Sequence, residues 1–311
     1  MHVLVTGCAG FIGSSLCERL LADGHAVTGV DCFTPYYGRA IKEGNLAAFR
    51  THPQFTFREL DLSADPVAEA VGPAEVVFHL AAYPGLMKSW TDFDLYSRHN
   101  LTATHRLLEA VKGRATLKKF VYASTSSVYG KYASGDESLP TRAGSPYGVT
   151  KLAGEQLARV YLDEFAVPTV VLRYFSVYGP RQRPDMGYHL FIRSILAGTP
   201  IPLTGDGLQV RGNTYIGDCV EATQRAGFGA MPGEVFNLGG GELTTIIDVI
   251  RRIERLTGKT AIVERKPDRK GDQVATAADV TKLYRHLGWK PTTGLDEGLT
   301  AQIQWQQSLM T

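Results

Sequence analysis

Short apolar runs alternate with amphipathic stretches through the first 175 residues. The runs at 2–6, 26–31, 55–60, 75–80, 118–123 and 168–173 are too short for helices and rich in Val and aromatic side chains, which predicts strands. Between them, residues 14–22, 100–111 and 147–165 carry apolar positions at helical spacing. Such alternation predicts an α/β chain with a doubly wound parallel sheet and right-handed crossovers. After Arg173 the rhythm changes. Residues 179–217 are rich in Pro, Gly and Arg, and a helical stretch at 190–197 runs into Thr199-Pro200-Ile201-Pro202, which cannot continue a helix. The pattern divides the chain into a sheet domain over 1–175 and a smaller lobe over 176–311. Within the lobe, a helix at 218–228 and a strand at 234–238 are expected to return to the main sheet, over about residues 213–240.

The first strand runs into Gly7-Cys8-Ala9-Gly10-Phe11-Ile12-Gly13, and a helix follows. Glycine triplets are common, but a strand before and a helix after make this one informative. Without a Cβ, such a loop lets backbone N–H groups and the helix start approach a pyrophosphate, while the third glycine allows close helix–strand packing. The second strand ends at Asp31, 18 residues after Gly13. A carboxylate there can accept both adenosine ribose hydroxyls and repels a 2′-phosphate, so NAD is expected rather than NADP. Asp61-Leu62, after the third strand, is placed to face the adenine. The fourth strand ends in His79-Leu80-Ala81-Ala82, whose small residues leave room for a dinucleotide over the strand ends. His79, in an apolar run, reads as a buried structural histidine rather than a catalytic one.

Tyr147 and Lys151 lie four residues apart on a helix that Pro146 is suited to start. A free phenol titrates near 10. An adjacent ammonium and a positive nicotinamide ring are expected to lower that value, so that Tyr147 can take a proton from an alcohol. The strand at 118–123 runs into Ser124-Thr125-Ser126-Ser127-Val128-Tyr129-Gly130, which puts hydroxyls at the C-terminal edge of the sheet. Thr125 is placed to hydrogen-bond the reacting oxygen.

A formal net charge of +2 over 311 residues gives no sign of a nucleic-acid partner or of a membrane surface. No apolar run reaches the ~18 residues of a membrane span, and no charged region precedes the first strand as in a signal peptide. Cys8, Cys17, Cys32 and Cys219 fit neither a CxxC metal site nor a disulfide framework. They read as reduced thiols of a cytoplasmic protein, with no metal expected.

The segments TGCAGFIG, HLAA, STSSVYG, SPYGVTK and LRYFSVYGPRQRP occur in an order that resembles the extended short-chain dehydrogenase/reductases, specifically their nucleotide-sugar epimerase and dehydratase branch, along essentially the whole chain. The resemblance implies a Rossmann sheet with a smaller C-terminal substrate-binding lobe. It assigns Thr125, Tyr147 and Lys151 to catalysis. It assigns Gly7, Gly10, Phe11, Ile12, Gly13, Asp31, Asp61, Leu62, Ala81, Tyr147 and Lys151 to NAD. Dehydratases of this branch carry Asp-Glu after the threonine, and UDP-xylose-forming decarboxylases carry Glu at the second position; this chain has Ser126-Ser127, which favours 4-epimerisation. The segments 31–37, 84–90 and 180–186 resemble UDP-glucuronate 4-epimerases. A glucuronate oxidised at C4 is a β-keto acid that can lose CO₂, and Ser126, Ser127, Ser176 and Arg183 are the candidates for holding its carboxylate. The segment 199–207 resembles a uridine-binding stretch, which makes Pro200 and Leu203 candidate substrate-binding residues, and Arg211 and Arg269 match arginines that pair with the diphosphate. Two positions depart from the pattern: Met87 stands where many relatives have Arg, and Gly212-Asn213 follow Arg211. The resemblance also implies a homodimer built on helices near 94–111 and 147–165. UDP-glucose or UDP-N-acetylhexosamine 4-epimerase, UDP-glucuronate decarboxylase, and a non-catalytic NAD-binding regulator or scaffold remain alternatives.

Overall fold

A computed structural model describes residues 1–267, 273 and 275–310. The N-terminal part runs β1 (His2–Thr6), α1 (Phe11–Ala22), β2 (Ala26–Asp31), α2 (Arg39–Leu46), β3 (Phe55–Glu59), α3 (Val67–Val71), β4 (Val76–His79), α4 (Phe93–Tyr96), α5 (Ala103–Val111), β5 (Lys119–Thr125), β6 (Tyr132–Gly135), α6 (Pro146–Phe165) and β7 (Thr169–Tyr174). The remainder runs β8 (Ser176–Tyr178), α7 (Gly187–Ala197), β9 (Pro200–Thr204), β10 (Val210–Tyr215), α8 (Ile216–Gly229), β11 (Val235–Leu238), β12 (Leu243–Thr245), α9 (Ile246–Thr257), β13 (Ile262–Lys266), β14 (Ala275–Ala278), α10 (Thr281–Leu287) and α11 (Leu295–Ser308).

Seven parallel strands form the main sheet in the order β11-β7-β5-β4-β1-β2-β3. This is the doubly wound Rossmann arrangement that the sequence predicts. One face packs on α1 and α8 through Leu16, Leu20, Cys219 and Ala226; the other packs on α3, α5 and α6 through Leu107, Leu108 and Ala158. Strands covered on both faces need apolar residues on both, which explains their near-continuous apolar runs. The segment after α8 forms β11 and pairs with β7 at the sheet edge.

The smaller lobe has its own core, in which Ile192 and Ile195 of α7 meet Ile201, Val249, Ile253 and Leu299. Its sheet runs β12-β10-β14-β6 with β8 paired to β10, so β6 joins it from the N-terminal half. Among the described residues, no helix is long and apolar enough to cross a membrane.

Two boundaries differ from the sequence expectation in ways that shape the site. Strand β5 runs on through Ser124 and Thr125, because these pair with Arg173 and Tyr174 of β7 although their side chains are polar. The helix expected at 100–111 is preceded by a wide π-type turn over Ser97–Thr102. Asn100 in that turn donates to the Tyr83 carbonyl and to Thr150 Oγ1 and accepts from the Tyr83 N–H, which ties α6 to the end of β4. Turns of this kind occur often beside functional sites.

Candidate active site

The strand ends and the glycine loop open onto one cavity. Gly7 has φ +72°, and a Cβ there would lie 2.8 Å from the Ala81 nitrogen, so the loop sits directly against the end of β4. The loop is tied down from three directions. Gly7 N–H donates to the Val30 carbonyl at 2.7 Å, Gly10 N–H to the Gly7 carbonyl at 3.0 Å, and Asn45 Nδ2 to the Ala9 carbonyl at 3.0 Å. Helix α1 begins after Gly10 with no side-chain cap, which leaves its first-turn N–H groups to a ligand. Asp31 is buried and already oriented: it accepts from Ala9 N–H at 3.2 Å and from Phe33 N–H at 2.8 Å. Lys42 lies 3.6 Å from the same carboxylate. This set fits a dinucleotide, with an uncapped helix start for the pyrophosphate and a fixed acid for the ribose.

The cavity lining gathers all the residues predicted to hold the cofactor, Gly7, Gly10, Phe11, Ile12, Gly13, Asp31, Asp61, Leu62, Ala81, Tyr147 and Lys151, together with Thr125 and Arg183. His79 lies behind it. Its ring bonds Thr6 Oγ1 at 2.8 Å and Thr104 Oγ1 at 2.9 Å, and burial pushes it down to about 3, so it is neutral and structural.

Helix α6 starts where Ser145 Oγ accepts from Gly148 N–H at 3.1 Å, with Pro146 in its first turn. This start places Tyr147 and Lys151 one turn apart toward the cavity. Lys151 Nζ stands 4.4 Å over the Tyr122 ring. Thr125 lines the cavity with them, and its Oγ1 accepts from Ser127 N–H at 3.2 Å.

Burial sets the electrostatics of the pair. Burial holds the Tyr147 phenol above its ordinary value, and the groups that oppose this are Arg183 and Thr125. Burial also pushes the Lys151 ammonium down to about 7, with Glu155 pulling the other way. A dry site that brings an ammonium to a phenol also penalises the ammonium.

The substrate candidates lie farther apart. Arg183 reaches the cavity and is held by two bonds of 3.0 Å to Asp185. Ser126, Ser127, Ser176, Pro200, Leu203 and Arg211 are not part of the described lining. Ser126 Oγ donates to Gln273 Oε1 at 3.2 Å, and Arg211 donates to the Gln273 carbonyl at 2.7 Å, so Gln273 links the end of β5 to β10. Ser176 opens β8, beside Asn213. Pro200 is exposed on β9, whereas the Leu203 side chain is packed in the core of the lobe and its strand pairs with β13 opposite Arg265. Arg269 lies outside the described residues.

Sequence reasoning missed Lys42 and His99, which line the cavity from α2 and from the π-type turn. It also missed that Cys32, Asp61 and His99 present ligand atoms within 4.8 Å of one another. Their separation along the chain hides that proximity, and no local spacing signals it. Tyr36, from the segment 31–37, reaches across to donate to Asp185 at 3.2 Å.

A family model described as "NAD dependent epimerase/dehydratase family" matches residues 3–239. The chain is 43% identical to "Uncharacterized UDP-glucose epimerase YtcB" of Bacillus subtilis (strain 168), over 99% of both chains. It is 37% identical to the UDP-glucuronate 4-epimerase of Thermodesulfobacterium geofontis (strain OPF15), over 98% of this chain and 96% of that one. Among solved structures it is similar to UDP-glucuronic acid 4-epimerase from Bacillus cereus in complex with UDP-glucuronic acid and NAD. That match has a TM-score of 0.96 and 41% identity, covering 99% of this chain and 100% of the other.

Proposed function

The chain belongs to the NAD dependent epimerase/dehydratase family, and on that premise we propose that it is a UDP-sugar 4-epimerase that interconverts UDP-glucuronate and UDP-galacturonate with NAD held in the cavity. One observation carries the reading. Thr125, Tyr147 and Lys151 line the same cavity as the glycine loop and Asp31, and the residues after Thr125 are Ser126 and Ser127, not acids.

NAD, when bound, supplies the reversible oxidation of the C4 alcohol. The glycine loop and the start of α1 hold its pyrophosphate, Asp31 its ribose, and Asp61 and Leu62 its adenine. Tyr147 removes the C4-hydroxyl proton and returns it after the sugar has turned over. Thr125 hydrogen-bonds the reacting oxygen. Arg211 and Arg269 pair with the diphosphate, a task suited to a permanently charged, bidentate group. Pro200 and Leu203 flank the uridine.

Ser126, Ser127, Ser176 and Arg183 hold the carboxylate so that the C–C bond to CO₂ does not align with the neighbouring carbonyl. Arg183 already binds a carboxylate, that of Asp185, in a near-symmetric fork. Residues 1–175 form the cofactor domain, whose sheet β11 joins at the edge, and residues 176–311 form mainly the sugar-nucleotide lobe. The enzyme works as a homodimer through α5 and α6, in the cytoplasm, where its four free cysteines suit a reducing compartment.

The test is incubation with UDP-glucuronate, followed by NMR of the products. UDP-galacturonate without CO₂ is expected; mainly UDP-pentose and CO₂ would sink the reading. The name of the Bacillus subtilis relative supports UDP-glucose as a second substrate to assay. Faster turnover of UDP-glucose than of UDP-glucuronate would favour that alternative. Thr125→Ala is expected to lower kcat between about tenfold and a hundredfold, the cost of one hydrogen bond to a charged oxygen. A change below twofold would remove Thr125 from the mechanism.

A further inference from the structure

Tyr147, Lys151 and Glu155 follow one another at four-residue spacing, so α6 turns all three toward the sheet. The first two lie at the cavity. Glu155 lies one turn deeper, buried, at the centre of a network that the proposed chemistry does not use. Ser124, the residue before Thr125, donates to Glu155 Oε1. Arg173 of β7 grips the carboxylate from Nε at 3.1 Å and Nη2 at 2.8 Å. Arg173 Nη1 donates to the Tyr129 hydroxyl at 2.8 Å, which donates to Asn237 Oδ1 at 2.7 Å. Ser124, Glu155, Arg173, Tyr129 and Asn237 are all buried.

Two full charges in this core are costly, and a well-packed apolar pair would often serve stability as well. Their position next to the reactive groups suggests what they are for. Lys151 is faced from β5 by the Tyr122 ring, from β4 by the neutral His79, from its own helix by Tyr147 and Glu155, and from β7 by Arg173 behind Glu155. Glu155 is the carboxylate that supports the ammonium against burial. Through Ser124 it also fixes the last residues of β5, where Thr125 stands.

We infer that Glu155 is a positioning residue of the reaction: it holds Lys151 in its charged form and, through Ser124, sets the end of the strand that carries Thr125, while Arg173 limits how strongly it does so. The inference rests on the reading of Tyr147 and Lys151 given above. Without Glu155, Lys151 loses the carboxylate that opposes its burial and should release its proton more readily. Without Arg173, the carboxylate acts on Lys151 unopposed and the proton should be held more tightly. Activity that depends on the ammonium is lost as pH rises through the Lys151 value, so the alkaline limb of the rate profile should move with it.

The test is a titration of Lys151 in NAD-loaded enzyme labelled with ¹³Cε-lysine, its signal assigned with Lys151→Arg, beside the pH dependence of kcat/KM. Glu155→Gln is expected to move the Lys151 titration and the alkaline limb down by about one pH unit. Arg173→Gln should move both up, and Glu155→Asp should restore most of the wild-type position. A merely structural pair would lower activity or stability in both variants without opposite displacements. Displacements in the same direction, or none, overturn the inference. Should either single variant fail to fold, Glu155→Gln with Arg173→Gln leaves a neutral hydrogen-bonded pair. Its Lys151 should titrate below wild type, and an unmoved value overturns the inference. The NMR titration needs no sugar nucleotide, so inactivity of the wild type toward UDP-glucuronate would sink the functional reading without deciding this one.

Discussion

Replacing Tyr147 with Phe is expected to reduce epimerisation by about a thousandfold, within the range usual for removing a general acid–base group. The change deletes one hydroxyl and keeps the ring, whose edge contact with Tyr96 at a centroid distance of 6.1 Å remains. Thr125 keeps its own bond, since its Oγ1 accepts from Ser127 N–H at 3.2 Å. Helix α6 still has its cap, because Ser145 and Gly148 are untouched. The loss should therefore fall on kcat. Copurified NAD and the melting temperature should stay near wild type. Turnover above a tenth of wild type would mean that another group moves the proton. A variant that has lost its NAD would mean that Tyr147 holds the cofactor more than it does chemistry.

The parts of the site that were legible in the sequence are those built from local pattern. Strands β1 and β2, the glycine loop between β1 and α1, and Asp31 at the end of β2 lie within a single βαβ unit, where a strand end and a helix start leave a direct mark on residue choice. Ser145-Pro146-Tyr147 is legible for the same reason, since a cap, a first-turn proline and a helix start must be neighbours. The residues that were not legible are those that only the fold brings together. Glu155 and Arg173 are 18 positions apart; helical spacing says that one is inward, and the apolar run around the other says that it is buried, but neither names its partner. Tyr36 and Asp185 meet across 149 positions. At Leu203 the pattern shows burial but not the neighbours. An alternating strand must bury one of its faces, and on β9 Leu203 falls on the buried one, beside the core of the lobe. The burial that pushes the Lys151 ammonium down was not legible either, because a sequence shows the charge but not the cost of drying it.

The second large effect is expected at Gly13, and it falls on the cofactor rather than on the chemistry. A Cβ on Gly13 would lie 2.8 Å from the Gly7 carbonyl carbon, 3.1 Å from the Cys8 Cα, and closer still to the Gly7 oxygen. These are backbone atoms, so no side chain can swing aside to admit the methyl group. Nor can the loop retreat. Gly7 and Cys8 donate to Val30 at 2.7 and 3.2 Å, and Gly7 is pressed against Ala81. The methyl group must therefore push α1 away from β1 and pull the first-turn N–H groups out of line with the pyrophosphate. Gly13→Ala should cost about 1–3 kcal/mol of stability, as overpacking does, and weaken NAD binding by at least about tenfold. Gly44→Ala is the matched control. Gly44 sits within α2 with no neighbour in reach of a Cβ. The added methyl group should stabilise the protein by up to about 1 kcal/mol and leave NAD binding unchanged. Denaturant unfolding and the NAD content of the purified proteins measure both. If Gly13→Ala holds NAD as the wild type does, the third glycine is not what brings the helix to the phosphates, and the cofactor must be gripped chiefly from Asp31 and the ends of β4 and β5.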